Sequence, residues 1–377
     1  MERKQRVEKG NGVIRMQFRH LQKIVQFNWT FIIFLIFISQ SNLAAQYGQI
    51  AGSVYERYTN KPLKDVNVFL AYTTKGAMSD VKGAFHLEHI PYGNYELVFS
   101  HIGYETKIVS VHINSPDIQS IHVKLNESVL QGERVQVEAK EDDAWQRDFS
   151  HFVKIFIGDS ENAEECRILN PYSLEFDHSE NNHFFAKTDV PLQIINEALG
   201  YTITVLLTEF EWASDGGMYV YYPYFEEIPS NDEELILHWI ENREETYYGS
   251  LRHFLVELID NGLKDNWPFD VYPAKIIGGR IIYDRKRLNY KSELDLTLQD
   301  STLMIYRLQV PTGVIAIRNK DEQEQSFLHL LEGYLDIDAL GTLYNARDHR
   351  VSGDWSKYRL ADILPNDFQI EQLKEKK

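Results

Sequence analysis

The sequence predicts a β-rich protein: an N-terminal antiparallel β-sandwich followed by a β-rich α+β domain. Three observations predict it. Between residues 47 and 125, short apolar-polar alternations are separated by turn residues, with no helical stretch between them. A period of two with one apolar face is the pattern of a half-buried antiparallel strand. Beyond residue 150, further alternating runs flank one long segment with helical spacing. Apolar residues make up 43% of the 377, enough for ordinary cores and too many for a wholly disordered chain.

The first 45 residues read as a secretory signal peptide. Arg15, Arg19 and Lys23 precede the apolar run Trp29–Ile38, and Ser39–Gln46 supplies a zone of small and polar residues for cleavage. A membrane-spanning helix needs about 20 apolar residues, so no integral span is expected once this segment is removed. An n-region counted from Met1 is unusually long, and Met16 is the expected true start. No cysteine follows the cleavage zone, which disfavours a lipid anchor. The expected localisation is therefore exported: periplasmic, outer-membrane-associated or extracellular.

The chain carries 39 Lys plus Arg against 56 Asp plus Glu, a formal charge of −17. Removing residues 1–45 takes away seven basic and two acidic residues and leaves −22. Such a balance disfavours nucleic acid, whose binding rests on neutralising phosphates, and repels anionic surfaces in general. A single cysteine, Cys166, excludes an internal disulfide, a multi-cysteine zinc site and an iron–sulfur cluster. It is expected to be a small buried residue rather than a reactive thiol. No cofactor and no metal are expected.

In the sandwich (46–139), Val66, Val68 and Leu70 alternate with polar or outward positions. So do Phe85 and Leu87, Val109, Val111 and Ile113, and Ile121, Val123 and Leu125. Asn60-Lys61-Pro62, Asp80–Gly83, Pro91–Asn94 and Ile102-Gly103-Tyr104 punctuate them. Asp80 can fold onto its own turn backbone, and Gly83 tolerates a left-handed conformation. The order Gly52-Ser53-Val54, Lys61–Val68, Ser79–Phe85, Ile90–Leu97 and Ser100–Glu105 closely resembles the carboxypeptidase-regulatory-like domain, a transthyretin-like sandwich. The resemblance covers about 80 residues. It implies a structural or ligand-presenting module beside other domains, without catalytic residues, in exported proteins of the Bacteroidota type.

Gln131–Ala139 fits a last strand, and the charged segment 140–150 fits a linker. In the second domain (151–377), strands are expected at Phe152–Ile157, His183–Ala186, Thr202–Leu207, Met218–Tyr222, Leu294–Leu298, Leu303–Val310 and Val314–Arg318. A short helix is expected at Leu192–Leu199. A long helix is expected after the N-cap region Ser230–Glu234, presenting Trp239, Arg243, Tyr247, Leu251, Phe254 and Leu258, with a break at Gly249 and a stop at Gly262. This half resembles the C-terminal part of exported Bacteroidota-type proteins that share the N-terminal module, through Phe156-Ile157-Gly158, Cys166–Pro171, Asn196–Tyr201 and Tyr248–Phe254. The resemblance implies location rather than mechanism.

The candidate chemistry is thin. Ile157-Gly158-Asp159-Ser160 looks like a GDS-type esterase block, but no downstream Gly-x-Asn or Asp-x-x-His accompanies it, and a serine without a base is a weak nucleophile. Gly249-Ser250 lacks the glycines of a nucleophile elbow. His86–His89 and His178/His183 lack metal-ligand context. Asn231–Glu234 and Asp336-Ile337-Asp338 lack an EF-hand pattern. Two clusters stay as ligand-binding candidates: Trp212, Tyr219 and Tyr221 in the aromatic run 211–225, and Arg243, Tyr247, Arg252 and His253 on the long helix. Each has a structural alternative. Strand alternation puts half the aromatics in the core, and an arginine beside a tyrosine commonly pairs with a carboxylate. The expectation is a non-enzymatic envelope protein that binds a protein partner or glycan through its second domain, the sandwich serving as docking module. A hydrolase of unrecognised type in 151–377 and a structural accessory of an outer-membrane complex are the alternatives.

Overall fold

The computed structural model describes residues 47–128, 143–179, 183–214, 216–261, 267–283, 294–302, 304–320, 325–343, 348–368 and 370. The signal-peptide segment, the strand expected at 131–139 and Gly262 lie outside the described residues. The first sheet has β1 (Tyr47–Glu56) at its centre, between β4 (Ala84–Pro91), antiparallel, and β7 (Ile118–Leu125), parallel. The second runs β3-β2-β5-β6, from β2 (Asn67–Leu70), β3 (Gly76–Met78), β5 (Gly93–Ser100) and β6 (Lys107–Ile113). Ile50, Val54, Val68, Leu70, Phe85 and Leu97 fill the space between them. The turn chemistry read from the sequence is present. Asp80 Oδ1 accepts from the backbone N–H of Lys82 (2.8 Å) and Ala84 (2.9 Å). Gly83 sits at φ 73°, where a Cβ would fall 2.4 Å from the Val54 carbonyl oxygen.

Two segments depart from their sequence-based reading. Residues 143–150, expected as linker, and 152–156, expected as strand, together form helix α1 (Asp143–Phe156). Trp145, Phe149, Phe152 and Phe156 are spaced for one helical face, and a six-residue apolar run cannot by itself tell helix from strand. Conversely, the helix expected at 192–199 is strand β11 (Leu192–Asn196), whose Leu192, Ile194 and Asn196 are buried in alternation.

β11 belongs to a six-stranded sheet with β8 (Cys166–Ile168), β9 (Glu175–His178), β10 (Phe184–Lys187), β12 (Tyr201–Ala213) and β13 (Gly216–Glu227). The order is β8-β11-β12-β10-β9. The long β12 pairs β11 along its first half and β10 near its end, while β13 runs along its other edge. Helix α1 lays Phe152 and Phe156 on this sheet. The short α2 (Glu161–Glu164) precedes β8.

The long helix is two helices, as the glycine suggested: α3 (Glu233–Tyr247), capped by Asp232, and α4 (Leu251–Asn261), with Gly249 at φ 82° between them. The remaining chain is all strand. β14 (Phe269–Ile277), β15 (Arg280–Tyr283), β18 (Val314–Asn319), β19 (Gln325–Leu330) and β21 (His349–Gly353) form a sheet in the order β15-β14-β18-β19-β21. β16 (Asp295–Asp300), β17 (Ile305–Gln309) and β20 (Tyr334–Asp338) form another. Phe254, Leu258, Trp267, Leu308, Ile317 and Trp355 make a core distinct from that under α1. Residues 151–377 thus enclose two cores.

The sandwich is not a freely tethered module. Phe69 and Val98, on the outer side of the β2–β5 sheet, are 1% and 0% exposed. They pack against Leu206, Tyr222 and Tyr224 of the β12–β13 hairpin, with Phe69 stacked on Tyr224 at 5.3 Å. The backbone joins in: Tyr72 N–H donates to Pro223 O (2.7 Å), and Phe225 N–H to Thr73 O (3.0 Å). Residues 46–377 form one unit. No helix among the described residues is long and apolar enough to cross a membrane.

Candidate binding cavity

The α3–α4 break turns Thr246, Tyr247, Ser250, Leu251 and Arg252 toward the loop after β20, the start of β21 and the segment 362–366. Between them lies a cavity of about 410 Å³. Tyr72 of the sandwich closes one side, and Leu343, Val351, Trp355 and Tyr358 supply much of the wall. Every region of the 46–377 unit therefore contributes to it. The volume is in the range of small-ligand sites, and its mix of aromatic and aliphatic walls with a few polar groups is the usual composition of one.

Gly249 is held from two sides. Its N–H donates to His253 Nδ1 (3.1 Å), and its carbonyl accepts from Trp355 Nε1–H (2.7 Å). This pins the helix break and seats Trp355. His253 is 7% exposed and packs on Tyr247, Tyr248 and Phe269, and burial pulls its imidazole down to about 4. It is neutral at pH 7 and acts as an acceptor inside the fold.

Arg252 lines the cavity, but its guanidinium is committed to the chain. It donates to the carbonyls of Leu340 (3.1 Å), Pro365 (2.8 Å), Asn366 (2.6 Å) and Phe368 (3.1 Å). It thereby clamps the C-terminal segment as one cavity wall. Asn366 N–H donates to Tyr72 O (2.6 Å), and Asp367 accepts from Thr74 N–H (2.9 Å) and Thr74 Oγ1–H (2.5 Å), so the same segment is tied to the sandwich. Asp338 is 1% exposed beside this clamp, with Oδ1 accepting from Leu340 N–H and Thr342 N–H, both at 2.9 Å. Burial raises its carboxyl to about 6.

Of the seven residues singled out in the sequence, Tyr247 and Arg252 line the cavity, and His253 supports it from behind. Arg243 lies elsewhere. It is 5% exposed, holds Leu199 O (2.8 Å) and Glu227 Oε1 (2.7 Å), and sits 4.0 Å over the Tyr201 ring, fastening the turn into β12. Trp212, Tyr219 and Tyr221 are half-buried against the α1 core. Tyr219 and Tyr221 meet Phe156 at 5.5 and 5.3 Å, and Trp212 stacks on Tyr219 at 6.2 Å. They reach the cavity only indirectly, through Tyr72, whose hydroxyl donates to the Tyr221 carbonyl (3.0 Å).

The remaining candidates resolve into turns and pairs. Ser160 caps α2 and donates to Asp362 Oδ1 (2.8 Å), which also accepts from Asn162 (3.0 Å). Asp362 lines the cavity, and burial raises its carboxyl above the ordinary value. His178 contacts Asp148, and His183 contacts Glu211, so the two histidines have separate partners. Asp336 pairs with Arg307 through two contacts of 2.7 and 2.6 Å, away from Asp338's turn. Among the described residues no group of three or more His, Cys, Asp or Glu could hold a metal. Cys166 is half-buried rather than fully buried, and burial pushes its thiol up to about 12. The cavity residues missed in the sequence are Tyr72, Thr342, Trp355 and Asp362. Tyr72 adopts φ 62°, unusual for a residue other than glycine, and no sequence pattern announces that.

Comparison with solved structures gives only weak likenesses. A cohesin–X-dockerin complex from Acetivibrio cellulolyticus is 19% identical over 20% of this chain and 52% of that one, with a TM-score of 0.18. The major pilin subunit of Bacillus cereus is 15% identical over 22% and 31%, with a TM-score of 0.19. A Bacteroides uniformis protein with a proposed carbohydrate-binding role is 10% identical over 50% and 76%, with a TM-score of 0.19. The chain thus spans about half or less of the cohesin and pilin structures, and scores this low carry neither fold nor function across. No curated protein matches the chain. Residues 50–137 match the model of the CarboxypepD_reg-like domain, the module that the order of turns and strands in the sandwich resembles.

Proposed function

We propose that this protein is a non-catalytic binding component of the cell envelope, and that the cavity between α3–α4, β21 and the C-terminal segment receives its ligand. The observation that carries the reading is the cavity itself: about 410 Å³, walled by Tyr72, Tyr247, Trp355 and Tyr358, with Thr246, Thr342 and Asn366 among its polar groups. Its nearest cation, Arg252, is engaged by four backbone carbonyls. That favours a neutral ligand with both an apolar face and hydroxyl or amide groups, of which a glycan fragment is the type. Export through residues 1–45 belongs to the same proposal. The sandwich acts as a wall and brace of the cavity, and the outer face of its β4-β1-β7 sheet is the surface left for docking.

The test is calorimetric titration of residues 46–377 with neutral envelope oligosaccharides and with extended peptides. Binding that Val351→Trp abolishes, while the melting temperature holds, would support the reading. A peptide that binds in place of sugars would make the cavity a partner-segment site. Turnover of any ligand, lost on substitution of Ser160 or Asp362, would replace the binding reading with a hydrolytic one.

A further inference from the structure

The β14–β15 hairpin is the one place where a strongly acidic chain presents apolar side chains and cations together. β15 is the outermost strand of its sheet. At the tip, Ile276 and Ile277 are 56% and 59% exposed, and Ile282 is 54% exposed. The turn between the strands is Gly278-Gly279, with no side chain to shield them. Register pairs Lys275 with Ile282 and Ile277 with Arg280, so these four side chains share one face. The opposite face is seated: Ala274, Ile281 and Tyr283 pack with Val314, Ala316 and Phe327. Exposed apolar residues grouped in this way mark interaction surfaces, whereas isolated ones need no explanation.

Charge selects among occupants. From Lys275 to Lys291 the sequence contains six basic residues and one acidic residue, Asp284, in a chain of net charge −17. The overall charge does not cancel this locally. At physiological ionic strength charges are screened beyond about 8 Å. Asp270, the nearest acid upstream along β14, is five residues from Lys275, about 17 Å at the rise of a strand. A surface meeting the hairpin therefore meets isoleucines flanked by cations.

We infer that the β14–β15 hairpin docks the protein onto an anionic phospholipid surface, with Ile277 and Ile282 entering the headgroup boundary while Lys275 and Arg280 pair with lipid phosphates. Isoleucine at the tip separates this from capture of free phosphate, which would need no apolar contact. The docking is peripheral and adds an attachment point apart from the cavity.

The experiment is co-sedimentation of residues 46–377, which form one unit, with vesicles of phosphatidylglycerol and phosphatidylethanolamine, against phosphatidylcholine vesicles, at low and high salt. Binding to the anionic vesicles that weakens with salt is expected, with little binding to phosphatidylcholine. Lys275→Gln with Arg280→Gln should weaken it about thirtyfold, at about fivefold per cation. Ile277→Ser with Ile282→Ser should also weaken it. A polarity-sensitive dye on Ile276→Cys should shift to the blue on anionic vesicles, and the raised Cys166 thiol leaves labelling selective. Equal binding to both vesicle types, wild-type binding by either double variant, or a dye signal that moves only with a protein partner would overturn the proposal.

Discussion

The seam around Tyr72 and the tip of the β14–β15 hairpin are both built from apolar strand residues, and they end differently. At the seam, Phe69, Val98 and Tyr224 are covered by another part of the same chain, and three segments far apart in sequence exchange backbone hydrogen bonds there. At the hairpin, Ile276, Ile277 and Ile282 stay in water. The difference lies in how many groups are satisfied together. The seam combines ring stacking, strand-like pairing of 72–73 with 223–225, and the Asp367–Thr74 contact, so each ordered residue serves several contacts. The hairpin's outward face has no internal surface to meet, and its exposure is stable because the inward face is anchored on Phe327 and Ala316.

Breaking the clamp next to the seam should have the largest effect. Arg252→Ala strips four carbonyls of their donor and frees segment 365–368, and it is expected to cost about 4 kcal/mol. A melting temperature within two or three degrees of wild type would show that the segment is held by other means. Phe69→Ala should cost about 3 kcal/mol, the usual penalty for emptying a buried aromatic site. Denaturant unfolding would show a much smaller loss if the sandwich were loosely attached.

The pH dependence sharpens the picture of the cavity's support. His253 is depressed to about 4 from 6.5, so its stabilising contribution is full above 6.5 and is lost as pH falls toward 4. Asp338 is raised to about 6 from 3.8, so its burial costs stability above about 6, and that cost is relieved as pH falls toward 4. The two oppose each other over one window. Asp338→Asn removes the compensation, and its stability should fall between pH 6.5 and 4 by about 2 kcal/mol more than wild type does. Parallel pH profiles for the two proteins would refute the assignment. The smallest effect belongs to the hairpin: Ile277→Ser should change stability by less than about 0.5 kcal/mol, since it alters only exposed surface. A larger loss by thermal melting would mean that the tip is packed within the fold.

Much of the sandwich was legible because its strands are half-buried and its turns carry specific chemistry. Phe85 and Leu87 alternate with exposed Ala84 and His86, and Asp80 and Gly83 make the turn their types suggest. Legibility failed where strands are covered on both sides, as in β2, where Phe69 is as buried as Val68 and Leu70. It failed again for short apolar runs. Residues 152–156 went to helix and 192–196 to strand, because six residues satisfy both periods and the surrounding layers decide. The candidate residues were legible as unusual types, without their partners. Arg243 and Arg252 both fasten backbone carbonyls, whereas the sequence suggested a ligand clamp or an Arg–carboxylate pair.

What the sequence determined alone were the properties carried by neighbours along the chain: β-rich composition, the sandwich's turns, the Asp232 cap, the Gly249 break and the acidic balance. What only the tertiary structure decided were the properties that need residues from distant places: the seam at Tyr72, the two cores within 151–377, the Arg252 clamp and the cavity it closes. The physical reason is range. Turn and cap preferences act over a few residues and leave a local signature, while burial and shared hydrogen bonds depend on which surfaces meet after the chain has folded.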